Sequence, residues 1–201
     1  MVPPSSNSIS PVPRSPALMS KENTCLLVVD VQEKLVPLMQ HHEELIWNIS
    51  RLLEAASILE VQAWGTEQYP KGLGATLPPI REGLSSLHEK LMFSCRECLS
   101  AWRDLQTPPI ATKVLLVGIE THICIQQTAL DLLANGLDVY LAVDAIGSRH
   151  PHDHEVALRR MERAGVQLTT TESTMFEWCE IAGTPEFKQI SRLAIQTGPN
   201  S

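Results

Sequence analysis

Three side chains of complementary chemistry stand where apolar segments of the chain end. Cys124 closes the stretch Gly118-Ile119-Glu120-Thr121-His122-Ile123-Cys124, which reads as the end of a buried strand running into a helix. A cysteine in the first turn of a helix lies beside unpaired backbone N–H groups and the positive end of the dipole. Both favour the thiolate, the nucleophilic form; the ordinary alternative is a small buried hydrophobe. Asp30 interrupts the apolar run CLLVVDV at residues 25–31, where a carboxylate needs a reason to be. It can take the thiol proton as general base and return it to a leaving amine, or simply cap a turn. Lys90 lies inside LHEKLMF at residues 87–93. An ammonium there would stabilise an ionised Asp30 and a thiolate, lowering the pKa of the nucleophile, unless it sits exposed on an edge strand.

The elements that must position these groups follow from periodicity. Continuous apolar or β-rich runs predict strands over residues 25–31, 61–66, 87–93, 113–119, 138–143 and 166–170. Helical spacing places Leu45, Ile49, Leu52, Ala56 and Leu59 on one face of a helix over 43–59. Further helices are predicted over 95–105, 122–135, 151–164, 174–181 and 185–195. Gly136 and Gly165 stand just past the ends of the helices over 122–135 and 151–164, and Pro151 opens the second of these. Strands alternating with helices imply right-handed crossovers and a three-layer α/β fold with a parallel sheet between helices. Ligands in such sheets bind at the C-terminal strand ends where strand order reverses. Asp30, Thr66, Lys90, the segment 119–124 and Asp144 all fall there. A Gly/Pro-rich loop follows the second strand at 67–79, and a Pro-rich turn occupies 107–110.

With 201 residues, the chain makes one domain. Residues 1–20, rich in Pro and Ser, are expected as a flexible tail with little to bury, Met19 offering a second candidate start. Residues 21–197 are the expected folded domain. The net charge of −7 and an aromatic content of 4% argue against nucleic-acid binding. No apolar run is long enough for a membrane span. Five cysteines, an odd number in a chain of this size, argue against a disulfide framework and for a reducing cytoplasm. Cys95 and Cys98 form a CxxC without the second pair that structural zinc uses. His150, His152 and His154 alternate too closely to share a helix face and read as a solvated helix start. The residues after Asp30, VQEKLV, are no phosphate-cradling glycine turn, which excludes a dinucleotide fold motif.

The segments VVDVQ (28–32), EKLMFS (89–94) and GIETHICIQQTALDLLANG (118–136) resemble, in order and approximate spacing, the motifs of the isochorismatase-like cysteine hydrolases. VDAIGSR (143–149) and ALRRMERAGV (157–166) match further blocks, so the resemblance spans about residues 21–195. TEQYPKGLG (66–74) and PEFKQI (185–190) look closest to the branch of isochorismatase domain-containing proteins. The resemblance implies a Rossmann-like, six-stranded parallel sheet in order 3-2-1-4-5-6, a homo-oligomer, and a catalytic set of Asp30, Lys90 and Cys124. It also implies a cis peptide between Ile119 and Glu120 that aims the N–H groups of Glu120 and Cys124 at an oxyanion. Gln32, Thr66, Tyr69, Phe93 and His122 are candidates for the substrate pocket, with Trp64 a core residue. Nicotinamidases of the family carry a D-x-H metal site after the second strand; the corresponding segment here has no His, so neither metal nor cofactor is expected. True isochorismatases lack the cysteine, so Cys124 argues against their vinyl-ether chemistry. The expected activity is hydrolysis of a small amide or related C–N bond through a thioester. The rival is a disused site on a fold that works as a binding or scaffold oligomer.

Overall fold

Six strands pair in parallel in the order β3-β2-β1-β4-β5-β6, as expected from the alternation of strands and helices. They are β1 (Thr24–Val29), β2 (Gln62–Gln68), β3 (Ser86–Lys90), β4 (Lys113–Ile119), β5 (Asp138–Gly147) and β6 (Gln167–Thr169). The structure is a computed structural model and describes residues 13–98 and 111–199. Every residue of β1 and β4 is buried, because central parallel strands are covered on both faces. Side chains alternate along a strand, so Leu26 and Val28 enter one core while Leu27 and Val29 enter the other. The first core is closed by α1 (His42–Leu59), whose Leu45, Ile49, Leu52, Ala56 and Leu59 form one buried face. It is completed by α6 (Thr171–Cys179) and α7 (Pro185–Ala194), through Met175, Trp178, Ile190 and Leu193. The second core is closed by α4 (Gln126–Ala134) and α5 (Pro151–Ala164), through Ala129, Leu132, Ala157 and Met161. Single helical turns α2 (Pro70–Leu73) and α3 (Pro78–Arg81) interrupt the expected loop after β2. Each begins with a proline, whose fixed φ suits a first helical position.

Several boundaries differ from the sequence expectation, each for a local reason. β1 stops at Val29, and Asp30 leaves the sheet with φ 54°, a left-handed conformation that Asp tolerates better than most residues. β5 runs to Gly147 rather than Val143, because its pairing with β4 shifts register and resumes at Gly118 opposite Ile146. Gly118 has φ +111°, and a Cβ there would collide with the carbonyl of Val29, so the β1–β4 approach requires glycine. The helix expected over 122–135 is split into a π-helical turn, Thr121–Ile125, and α4. Of the helix expected over 95–105, a 3₁₀ turn Cys95–Cys98 is described; the remainder and the turn at 107–110 lie outside the described residues.

The N-terminal segment also departs from expectation. Residues 1–12 lie outside the described residues, but residues 13–20 are docked on the domain. Met19 is wholly buried in the first core. The Arg14 guanidinium donates to the carbonyls of Met19 (2.6 Å) and Glu177 (2.7 Å) and to Glu180 Oε1 (2.7 Å). The Met19 N–H donates to Glu177 Oε2 (2.8 Å), Lys113 Nζ to Pro16 O (2.5 Å) and the Tyr140 hydroxyl to Ala17 O (2.7 Å), so a buried side chain and a set of polar ties hold a segment whose composition otherwise reads as a tail. Among the described residues no helix is long and apolar enough to cross a membrane.

Candidate active site

The strand order brings the C-terminal ends of β1, β2, β3 and β4 together. Register sets Val29 beside Thr66 and Gly118, and Gln68 beside Lys90. The Asp30 side chain, with no exposed surface, is where these ends meet. Its Oδ2 accepts from Lys90 Nζ at 2.7 Å, across 60 residues of sequence. Its Oδ1 accepts from the Thr66 hydroxyl at 2.8 Å. The Cys124 thiol, on the π turn after β4, lies within electrostatic reach of the same carboxylate. Sequence reasoning singled out these three residues, and the fold places them in one cluster.

Lys90 is held from every side. Besides Asp30, its ammonium donates to Gln68 Oε1 (2.7 Å), to Phe93 O (3.0 Å) and, at longer range, to Met92 O (3.3 Å). Gln68 is fixed in turn: its Nε2 donates to Leu91 O (2.9 Å) and its backbone N–H to Gln32 Oε1 (2.8 Å). Gln32 Nε2 donates to Gln68 O (3.0 Å) and Gly74 O (2.7 Å). Gln32 and Thr66 were expected to face substrate. Instead both are buried, and these polar atoms bind the protein itself, bracing the lysine and the carboxylate. Gln68 was missed by sequence reasoning because an amide at a strand end looks like any polar surface residue.

The electrostatics overturn one expectation. Burial opposes the charge on Lys90, yet the charge and hydrogen bond of the Asp30 carboxylate hold the ammonium above the ordinary lysine value. The Cys124 thiol is pushed up, not down. Burial is the largest cause, the charge on Asp30 adds to it, and the attraction of Lys90 does not compensate. Cys124 therefore rests as a protonated thiol, not a thiolate. A direct consequence can be measured by ultraviolet thiolate absorbance, wild type minus Cys124→Ser. The difference should show no Cys124 thiolate up to about pH 9, the ordinary thiol value; a step at neutral pH would contradict this.

A second thiol stands in the wall. Cys95 is fully buried, lies 3.7 Å from the Thr66 hydroxyl, and is pushed to about 12, chiefly by burial. Its backbone N–H donates to Thr128 Oγ1 at 2.9 Å, which ties the turn after β3 to α4.

The peptide between Ile119 and Glu120 is cis, the bond that the resemblance implies. The Glu120 carboxylate turns to Arg149, accepting from its Nε (3.1 Å) and its backbone N–H (3.0 Å). His122 was a pocket candidate, but its ring engages other groups. Nδ1 shares a hydrogen bond with the Ser148 hydroxyl at 3.0 Å, and Nε2 lies 3.9 Å from Asp153. His154, read as part of a solvated helix start, shares a 3.0 Å hydrogen bond with the Thr121 hydroxyl, and burial holds its imidazole below the ordinary value. His150 and His152 are exposed. Among the described residues no three His, Cys, Asp or Glu side chains converge as a metal site would need.

Tyr69 and Phe93 are half-exposed and adjoin Lys90: the Tyr69 N–H donates to Lys90 O at 3.0 Å, and Phe93 O accepts from Nζ. Trp64 is in the core, as its size favours. A cavity of about 490 Å³ lies between the turn after β3 and α4, lined by Met92, Phe93, Arg96, Gln127, Leu130 and Asp131 among others. Gln127 is one helical turn beyond Cys124. A second cavity, about 360 Å³, opens on the side of His154 and Ser148.

Residues 24–173 match the family described as Isochorismatase domain. The chain is 38% identical over 184 residues to isochorismatase domain-containing protein 2 of Danio rerio, covering 91% of this chain and 92% of that one. Among solved structures it is similar to one described as MAR1 ribonuclease from Caenorhabditis elegans. There the TM-score is 0.83 at 37% identity, covering 91% of this chain and 95% of that one. The ycaC gene product of Escherichia coli, described as an octameric hydrolase of unknown specificity, shares the fold. Its TM-score is 0.80 at 18% identity, with 91% and 93% of the two chains covered.

Proposed function

The chain belongs to the isochorismatase family, and from that premise we propose that it hydrolyses a small amide or related C–N bond with Cys124 as nucleophile. The observation that carries this reading is the buried Asp30 carboxylate, which receives the Lys90 ammonium at 2.7 Å and whose charge reaches the Cys124 thiol. Attack of Sγ on the carbonyl carbon passes the thiol proton to Asp30. Collapse of the tetrahedral intermediate breaks the C–N bond, and Asp30 returns the proton to the departing amine. Water then attacks the thioester with Asp30 again as base, releasing the acid and restoring the thiol. Lys90, with its protons committed to protein acceptors, fixes the Asp30 carboxylate in place and does not touch substrate. Backbone N–H groups at Glu120 and Cys124 serve the oxyanion, at a few kcal/mol per donor.

The name of the Caenorhabditis elegans relative raises cleavage of RNA as another activity. The net charge of −7 opposes phosphate binding, and Lys90 has no proton to offer a phosphodiester. Self-association into a homo-oligomer is part of the same reading, in line with the family resemblance. The test is ammonia release from a panel of small amides at up to millimolar concentration, wild type against Cys124→Ser, with RNA digestion run in parallel. Turnover of at least one amide by wild type alone is expected. RNA cleavage lost with Cys124, or inactivity toward every amide beside a tight protein partner, would favour the other readings.

A further inference from the structure

The groups around Asp30, Lys90 and Cys124 say what charge they can admit. The Lys90 side chain has no exposed surface, and its three protons go to Asp30, Gln68 and the carbonyl of Phe93. The other cation of the adjoining cavity, Arg96, lies 3.9 Å from Asp131. A further carboxylate stands on the turn that holds Lys90. Besides Asp30, Glu97 Oε1 accepts from the backbone N–H groups of Leu91 (3.0 Å) and Met92 (3.2 Å). The side chains this turn presents outward are apolar: Leu91 is 73% exposed, Phe93 53% and Met92 37%, with Tyr69 51% exposed beside them. Thus, among the described residues, the cation that touches Asp30 is fully committed to the protein, and the cation lining the cavity, Arg96, stands 56% exposed beside Asp131 rather than at the cluster.

Resting on the amide-hydrolase reading above, we propose that the site selects uncharged acyl compounds with an apolar body and turns away those that carry a carboxylate beside the reacting carbon. A second anion brought within a few ångströms of Asp30 would meet repulsion that a partly buried setting screens poorly. It would also lose water without gaining a partner. An apolar acyl group instead covers Tyr69, Met92 and Phe93, which are otherwise left against water. The substrate class is a neutral aliphatic or aromatic amide, not the amide of a dicarboxylic or oxo acid.

A matched pair of alkylating agents tests this without knowledge of the substrate. Iodoacetamide and iodoacetate have nearly the same size and react alike: Cys124 Sγ displaces iodide, and the thiol proton passes to Asp30. Rates at Cys124 are read by peptide mapping of the full, folded chain and divided by the rates for a free small thiol. The expected preference for iodoacetamide, after that correction, is about 10-fold or more. Phe93→Arg, a change at an exposed position, should shrink it by placing a free cation at the mouth. A corrected ratio near one, or a preference unmoved by Phe93→Arg, overturns the charge selectivity while leaving Cys124 as nucleophile. Failure of both reagents to label Cys124 ahead of the more exposed Cys179 overturns the nucleophile reading and the selectivity together.

Discussion

Replacing Lys90 by methionine is expected to lower the stability of the fold by about 3–5 kcal/mol. Methionine fills a similar volume, so little cavity forms, and the loss comes from the charge left behind. The Asp30 side chain has no exposed surface and receives a 2.7 Å ion pair from Lys90. Without it, the carboxylate must either stay ionised in a dry setting or take up a proton, and both choices favour the unfolded chain. Gln68 Oε1 and the carbonyl of Phe93 lose their donor at the same time, at about 1–3 kcal/mol for each group left unsatisfied. Urea unfolding at fixed protein concentration measures the change. Lys90→Met combined with Asp30→Asn should recover part of it, because the double variant buries no lone charge. Equal stability of wild type and Lys90→Met would mean that the pair is not formed.

Asp30→Asn is expected to lower turnover of any amide substrate by about 10²–10⁴-fold, the range of a lost general base. The raised Cys124 thiol makes the loss severe. A thiol already ionised at neutral pH could attack without help, but one held protonated by burial and by Asp30 depends on that carboxylate to take its proton. Asparagine keeps the shape, tolerates the φ of 54° at this position, and can still accept from the Thr66 hydroxyl. It cannot accept a thiol proton. Rates recorded alongside thermal unfolding separate the missing base from the weakened fold. Undiminished turnover in a folded Asp30→Asn protein would remove Asp30 from the chemistry.

Which parts of this arrangement could be read from the sequence follows from the range of the forces involved. The sheet and its order came from apolar periodicity and family resemblance, since burial on two faces writes itself into runs such as those of β1 and β4. Asp30 stood out because a carboxylate in such a run is costly, and Cys124 because a thiol began a helix. Lys90 was ambiguous, for a lysine in a short β-like stretch is usually solvated; only the pairing of Gln68 with Lys90 reveals its enclosure. Gln68 and Gln32 were not legible as a brace, because their partners are backbone carbonyls contributed by other loops. The charge state of Cys124 was misjudged for a similar reason. Helix position and a nearby ammonium are local cues, whereas burial is a sum over the whole fold. The segment around Met19 shows the converse, a buried side chain and hydrogen bonds from Arg14, Lys113 and Tyr140 docking residues that composition marks as a tail.

If Cys124 carries the acyl group with Asp30 as its base, acyl transfer to the thiol must depend on that carboxylate. The most direct measurement is acyl transfer from a neutral activated donor such as p-nitrophenyl acetate at neutral pH, quenched in acid and mapped by peptide mass. The expected result is an acetyl group on Cys124, formed fast in wild type and about 10²-fold or more slower in Asp30→Asn. Acetylation spread evenly over the cysteines, or a Cys124 rate indifferent to Asp30→Asn, would contradict it.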